Sequence, residues 1–333
     1  MFILKYIEAV FQVTTPLFMS GNNQEVAEFR IPSFLGVLRF WYRATAPASM
    51  VQDITKLREA EANLFGSSGS DTGQAAFVTR VDKSGISYLS PKLNPEEVKY
   101  MQRPGINYLG YGLFTRGSKR GCITEGSVFT IKFTIKPQQN PDIKGLIRAL
   151  KALGLFGGCG SRSRRGFGSL TLILLKDETG RVIWKRPLNR EQLQTEIKKL
   201  LDDLQVTADQ GSYPSYTAFS PACKIVITRP GIDPLSVLNE VGSEMIRYRS
   251  YGQKDRNSGE HLLPVKDASH RREKAKQLFA DDHDVVLSAN PTNNPGRPPR
   301  RVAFGLPHNY YFGSIKKKMD ITGERCKRRG SPL

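Results

Sequence analysis

Histidine, cysteine and acidic residues are scarce in this chain, and each scarcity removes a class of chemistry. The four histidines, His261, His270, His283 and His308, form no HxH or HExxH pattern, so the usual paired imidazole ligands are missing. The four cysteines, Cys122, Cys159, Cys223 and Cys326, are widely spread and form no CxxC pair. That argues against a structural zinc site and fits the dispersed thiols of a cytosolic protein. Asp281, Asp282 and Asp284 are the nearest thing to a carboxylate cluster, and they read as a helix cap or a solvated turn. Long apolar runs are lacking too. MFILKYIEAVF at the start is broken by Lys5 and Glu8, which makes it a poor signal peptide and too short to cross a bilayer. The expectation is a cytoplasmic protein with no membrane partner, no metal and no cofactor.

The acidic deficit is the largest imbalance. Fifty Lys and Arg stand against 31 Asp and Glu, a formal charge of +19. Charge of this size repels itself and attracts polyanions by counterion release. It is also clustered. Arg297, Arg300, Arg301, Lys316, Lys317, Lys318, Arg325, Lys327, Arg328 and Arg329 are offset only by Asp320 and Glu324. A nucleic-acid partner is therefore expected, and a small-molecule substrate is not.

Hydrophobic spacing organises the first half of the chain. Residues 3–14 read as a strand. SFLGVLRFWYRATA reads as a helix starting at Ser33, with Phe34, Val37, Leu38 and Trp41 inward and Arg39 and Arg43 outward. A second helix spans 53–65. Residues 76–90 read as a hairpin around Asp82-Lys83-Ser84-Gly85. SVFTIKFTIK alternates, with Phe129, Ile131, Phe133 and Ile135 on one face. The helix over 142–156 buries Leu146, Ile147, Leu150 and Leu153 and carries Lys144, Arg148 and Lys151 on a second stripe. SLTLILLK then predicts a strand with a turn at 177–180, and 189–204 a helix. A boundary is expected near 210, followed by a strand CKIVITR, a helix over 233–249, a loop or insertion over 252–272 and a loop over 290–301. This order of elements predicts an α+β, ferredoxin-like (RRM-like) sandwich.

Between the 142–156 helix and its following strand lies GGCGSRSRRGFGSL, with Gly157, Gly158, Gly160, Gly166 and Gly168 beside Arg162, Arg164 and Arg165 and no acid. It is not a nucleotide loop. GxxxxGK[ST] is absent, the GxGxxG fingerprint lacks its third glycine, and helix–loop–strand is the reverse of the order that brings phosphate to a helix N-terminus. RGFG matches four positions of an RNA-recognition consensus, but Ser169 and Leu172 then stand where stacking aromatics are needed. The expected use is phosphate contact, through close backbone approach at Gly158, Gly160 and Gly166 and guanidinium forks at Arg162, Arg164 and Arg165. Cys159 reads as a small packed residue.

SFLGVLRFWYRA, the LFGS at 64–67, GGCGSRSRRGFGSL and a late AFGLP together resemble the RAMP superfamily. Within it they are similar to the Cmr-one subunits of type III-B CRISPR effector (Cmr) complexes. The resemblance covers both halves of the chain. It implies two ferredoxin-like RAMP units, assigned here to residues 1–210 and 211–333. It also implies a subunit that caps the RNA-guided filament and touches crRNA or target RNA near the crRNA 3′ end, beside other Cmr subunits. Target cleavage belongs to other subunits in that family, so no catalytic residue is assigned. A repeat supports two units: Phe156-Gly157, Arg164-Arg165-Gly166 and Leu170 are echoed by Phe304-Gly305, Arg328-Arg329-Gly330 and Leu333. By that alignment the second unit is expected to stop short of its final strand. The competing reading is a metal-independent RAMP endoribonuclease that processes CRISPR RNA. His308 is its best general acid–base candidate, although a surface or turn role is the ordinary reading of each histidine.

Overall fold

The computed structural model describes residues 5–68, 73–90, 103–113, 120–137, 141–205, 219–220, 223–228, 231, 233–282, 285, 300, 308–312 and 317–321. In chain order the elements are β1 (Tyr6–Val13), α1 (Ile31–Ala44), α2 (Ala48–Val51), α3 (Ile54–Phe65), β2 (Phe77–Asp82), β3 (Tyr88–Leu89), α4 (Pro104–Leu109), β4 (Cys122–Ile123), β5 (Val128–Ile135), α5 (Ile143–Phe156), β6 (Leu170–Asp177), β7 (Val182–Lys185), α6 (Arg190–Asp203), α7 (Pro234–Arg249), β8 (Gln253–Lys254), β9 (His261–Lys266), β10 (Arg272–Lys274), β11 (His308–Phe312) and β12 (Lys317–Ile321). Contacts divide the chain into one unit of Met1–Lys99, Gly110–Pro234 and Pro332–Leu333, and another of Tyr100–Leu109 and Leu235–Ser331.

The first unit is built on a five-stranded antiparallel sheet of order β2-β5-β1-β6-β7. Strip away the edge strand β7, and the order is that of a β1-α-β2-β5-α-β6 ferredoxin-like layer. Alternation decides which side the helices cover. Ile7, Ala9, Phe11 and Val13 of β1 and Phe129, Ile131, Phe133 and Ile135 of β5 are all buried. Against them pack Phe34, Leu38 and Tyr42 of α1 and Leu146, Ala149, Leu150 and Leu153 of α5. Asp142 caps α5 by accepting the Gly145 N–H at 2.8 Å, and Asp53 caps α3 in the same way through Thr55 and Lys56.

Four expectations need correction. First, α1 starts at Ile31, not Ser33, with Arg30 at the cap and Pro32 in the first turn. A proline suits that turn, whose N–H groups have no intrahelical acceptor. The buried stripe is then Phe34, Leu38 and Tyr42, an i, i+4, i+8 row, and Trp41 sits half-buried at its margin. There its ring stacks on Phe156, with centroids 6.2 Å apart.

Second, residues 76–90 are not a hairpin. The turn forms, with Ser84 N–H on Asp82 Oδ1 at 2.9 Å, but β2 pairs with β5 and β3 with β4. A turn signal reports local geometry and says nothing of a long-range pairing partner.

Third, residues 223–228 of CKIVITR form no strand. The Ile227 carbonyl accepts the Arg190 guanidinium at 3.0 Å instead of a ladder N–H. β-propensity measures fit to a pleated neighbour, and among the described residues no strand pairs with this segment.

Fourth, 252–272 is not a loop. It contributes to the three-stranded antiparallel sheet β10-β9-β8. Two alternate residues, Leu263 and Val265, pack with Ile246 of α7 to make its small core, too short a pattern to stand out among charged neighbours. Except for Arg300, the expected loop over 290–301 lies outside the described residues, and so do Phe304, Gly305 and Arg328–Leu333 of the repeat.

Candidate nucleic-acid interface

The glycine–arginine loop leaves the C-terminus of α5 and enters β6, lying against the segment that follows β1. Its main chain is closely tied down. Ser161 N–H reaches Phe18 O at 2.8 Å, Gly168 N–H reaches Pro16 O at 2.9 Å, and Cys159 N–H reaches Gly168 O at 2.9 Å. Thr15 adds a side-chain clamp, its hydroxyl donating to Gly166 O at 2.6 Å and accepting Ser169 N–H at 3.0 Å. Gly158 is buried and bridges to Ser169. Gly166 donates its N–H to Ser163 O at 3.2 Å.

This packing accounts for the glycines. Gly160 has φ +81°, and a Cβ there would stand 2.6 Å from Phe18 O. Gly168 has φ +59°, and a Cβ would stand 2.1 Å from Cys159 O. Only glycine combines a left-handed backbone with such close approach. The backbone-nest expectation therefore narrows, since the N–H groups of Cys159, Ser161, Gly166 and Gly168 already have acceptors inside the protein. Cys159 is buried here, and desolvation pushes its thiol up to about 12.

The arginines are not accounted for by packing. A short 3₁₀ turn over Ser163–Arg165 lifts them to the surface, with Arg162 at φ +61° opening the turn. Arg162 and Arg164 are exposed and Arg165 is half-buried. Neither Arg164 nor Arg165 has a side-chain hydrogen bond or ion pair among the described residues. The Arg162 guanidinium donates to the Tyr111 carbonyl. Arg120 comes alongside and donates to Ser161 Oγ at 3.1 Å. Tyr111 itself is 73% exposed. Reasoning from sequence missed Tyr111 and Arg120, although an aromatic between two glycines, followed by the basic run at 116–120, was a usable signal.

The other expected contacts do not join this cluster. Arg43 donates to both oxygens of Glu61 on α3, at 2.7 and 2.8 Å. Arg39 also pairs with Glu61, at 3.4 Å, donates to Gly66 O and lies over the Phe65 ring. Both are tie-points between α1 and α3 rather than free cations. Arg148 donates to Thr45 O at 3.3 Å and faces Asp142 at 3.8 Å. Lys151 holds its ammonium 5.2 Å from the Trp184 ring centroid, a cation–π geometry. Lys144 is exposed, but it sits in the first turn of α5, about 20 Å along the axis from the loop at 1.5 Å per residue.

The histidines show no proton-shuttling arrangement among the described residues. The His261 ring packs edge-on to Tyr251 at 4.6 Å, His270 is exposed in a turn, and His308 begins β11; His283 lies outside the described residues. Asp282 accepts Arg300 N–H at 2.7 Å, and Asp281 faces the Arg300 guanidinium at 3.6 Å. Among the described residues no group of acidic, histidine and cysteine side chains is placed to hold a metal. Nor is any helix there long and apolar enough to cross a membrane.

Residues 10–171 match the family model of the RAMP superfamily. Over 171 residues the chain is 32% identical to CRISPR system Cmr subunit Cmr1-1 of Pyrococcus furiosus, covering 50% of this chain and 47% of that protein. Over 183 residues it is 28% identical to Cmr1-2 of the same organism, covering 51% of this chain and 97% of that one. The chain thus spans about half the length of the first of these relatives. Among solved structures, apo Cmr1 from Pyrococcus furiosus superposes with a TM-score of 0.48 at 23% identity, over 75% of this chain and 74% of that one. A chain of type III-B Cmr-beta bound to cognate target RNA superposes with a TM-score of 0.44 at 13% identity, over 60% and 62%.

Proposed function

We propose that this chain, whose residues 10–171 match the family model of the RAMP superfamily, is a non-catalytic, RNA-binding subunit of a type III-B CRISPR ribonucleoprotein. In this reading it contacts crRNA and target RNA near the crRNA 3′ end and docks on other Cmr subunits in the cytoplasm. Two relatives named as Cmr subunits support the assembly; the 3′-end position comes from the family resemblance. Residues 211–333 form the second RAMP domain of the proposal.

One observation carries RNA binding: Arg164 and Arg165 stand on a closely tied loop with no side-chain partner among the described residues, near Arg162 and Arg120 and with no acid in the loop. A chain that only needed to turn there would gain nothing from three adjacent uncompensated guanidiniums, which repel one another until an anion arrives. Guanidinium forks match phosphate geometry. The contact reads backbone charge, so binding is expected to be salt-dependent and indifferent to base identity.

The test is filter binding of single-stranded RNA at several salt concentrations. Replacing Arg162, Arg164 and Arg165 together with Ala is expected to weaken binding and flatten the log–log slope by up to about two units, at about 0.7 per phosphate contact. An unchanged slope would move the RNA to another surface. Incubation with labelled repeat RNA in EDTA checks the catalytic alternative: cleavage that His308→Ala abolishes would replace the non-catalytic reading.

A further inference from the structure

We propose that Tyr111 is a stacking platform for one unpaired nucleobase of the strand whose phosphates lie on Arg162, Arg164 and Arg165. This rests on the RNA-binding reading above and adds to it the kind of RNA the loop accepts: single-stranded, with at least one base free to leave its neighbours.

The first ground is the ring itself. Tyr111 is 73% exposed and makes no ring contact with another aromatic among the described residues. It is more open than the other exposed tyrosines, Tyr88 at 49% and Tyr248 at 52%, and its face is available for stacking. The second ground is that its backbone is held. Leu113 N–H closes a turn onto Gly110 O at 2.8 Å, the Leu113 side chain is buried, and Gly112 takes φ +87°. The Arg162 guanidinium bonds the Tyr111 carbonyl, so the backbone that carries the ring is held beside Arg162. Little backbone ordering entropy would be lost on stacking.

The third ground is the match of chemistries. One guanidinium group bonds the turn that carries the ring, and its remaining N–H donors stay available. Arg120 joins the same surface through Ser161. A cationic track with an aromatic alongside is the arrangement by which single strands are held without regard to sequence, since every base has a π-face. A paired duplex keeps its bases stacked on each other and offers this ring only edges. Phenol oxygen has no necessary part in stacking, so the ring and not the hydroxyl should matter.

The experiment uses the full chain and a short single-stranded uridine-rich RNA carrying one 2-aminopurine, titrated by anisotropy and by 2-aminopurine fluorescence at several salt concentrations. Tyr111→Ala is expected to weaken binding roughly 5- to 150-fold, the loss of one base–aromatic stack. Its salt slope should equal that of the wild type, because no charge is removed. Tyr111→Phe should bind as the wild type does. The wild type should quench 2-aminopurine and Tyr111→Ala should not, and an abasic oligomer should bind both proteins equally.

Wild-type affinity in Tyr111→Ala, with the triple-arginine variant still weakened, would overturn the stacking site and leave the RNA-binding reading intact. A flattened slope in Tyr111→Ala would also overturn it, by showing that the turn only orders Arg162. Absence of salt-dependent binding in the wild type would overturn both readings.

Discussion

Arg43 donates to both carboxylate oxygens of Glu61, at 2.7 and 2.8 Å, and so joins α1 to α3. The side chains are 24% and 14% exposed, enough shelter for the loss of one partner to be felt. Arg43→Ala is expected to lower unfolding stability by about 1–3 kcal/mol, the range for a hydrogen bond to a charged group. Glu61→Gln should cost less, because the amide oxygen still accepts. Urea titration of the three proteins checks this. RNA affinity of folded Arg43→Ala should be close to wild type.

Core packing gives a second expectation. Phe34 is fully buried between Phe11, Phe29 and Phe129, and Trp41 is not. Phe34→Ala should cost about 3–5 kcal/mol through cavity formation, and Trp41→Ala distinctly less. Equal losses in thermal unfolding would mean that the Trp41 contacts with Phe156 and Phe219 matter as much as the central stripe.

The glycine loop should respond to bulk as a structural element. At Gly160 a valine meets both the left-handed backbone, costing about 1–2 kcal/mol, and the Phe18 carbonyl 2.6 Å from its Cβ. Gly160→Val should therefore melt well below wild type and lose RNA affinity only as a consequence. A variant with wild-type melting and weak RNA binding would show instead that RNA itself approaches this glycine.

Two buried thiols set an alkaline limit on stability. Burial pushes Cys122 and Cys159 up to about 12 from an ordinary 9.0, with Glu125 adding to the shift at Cys122. Between those values the unfolded chain releases protons that the folded chain keeps, so stability is full below about pH 9 and falls as pH rises towards 12. Urea midpoints at pH 7, 9 and 10.5 should be level for the first two and lower for the third. Thiol labelling at neutral pH followed by peptide mapping should mark exposed Cys223 and spare Cys122 and Cys159.

What the sequence determined by itself was the set of faces. Period 2 in β5 and period 3.6 in α5 placed Phe129, Phe133, Leu146, Leu150 and Leu153 inside, because alternation and helical repeat follow from backbone geometry alone. The loop's unbalanced charge was also legible, being a matter of composition. Tertiary structure decided everything that depends on a partner distant along the chain. Arg39 and Arg43 lie on the polar side of α1, as the periodicity says, yet no periodicity reveals that Glu61 arrives there on α3. The loop's glycines read in sequence as openings for a ligand, whereas in the fold the Pro16–Phe18 main chain lies against them. Tyr111 gained its place beside Arg162 across 51 residues of chain. Local propensity is a property of a few neighbours, whereas pairing, close approach and the company a side chain keeps are set by the one packing that buries the common core.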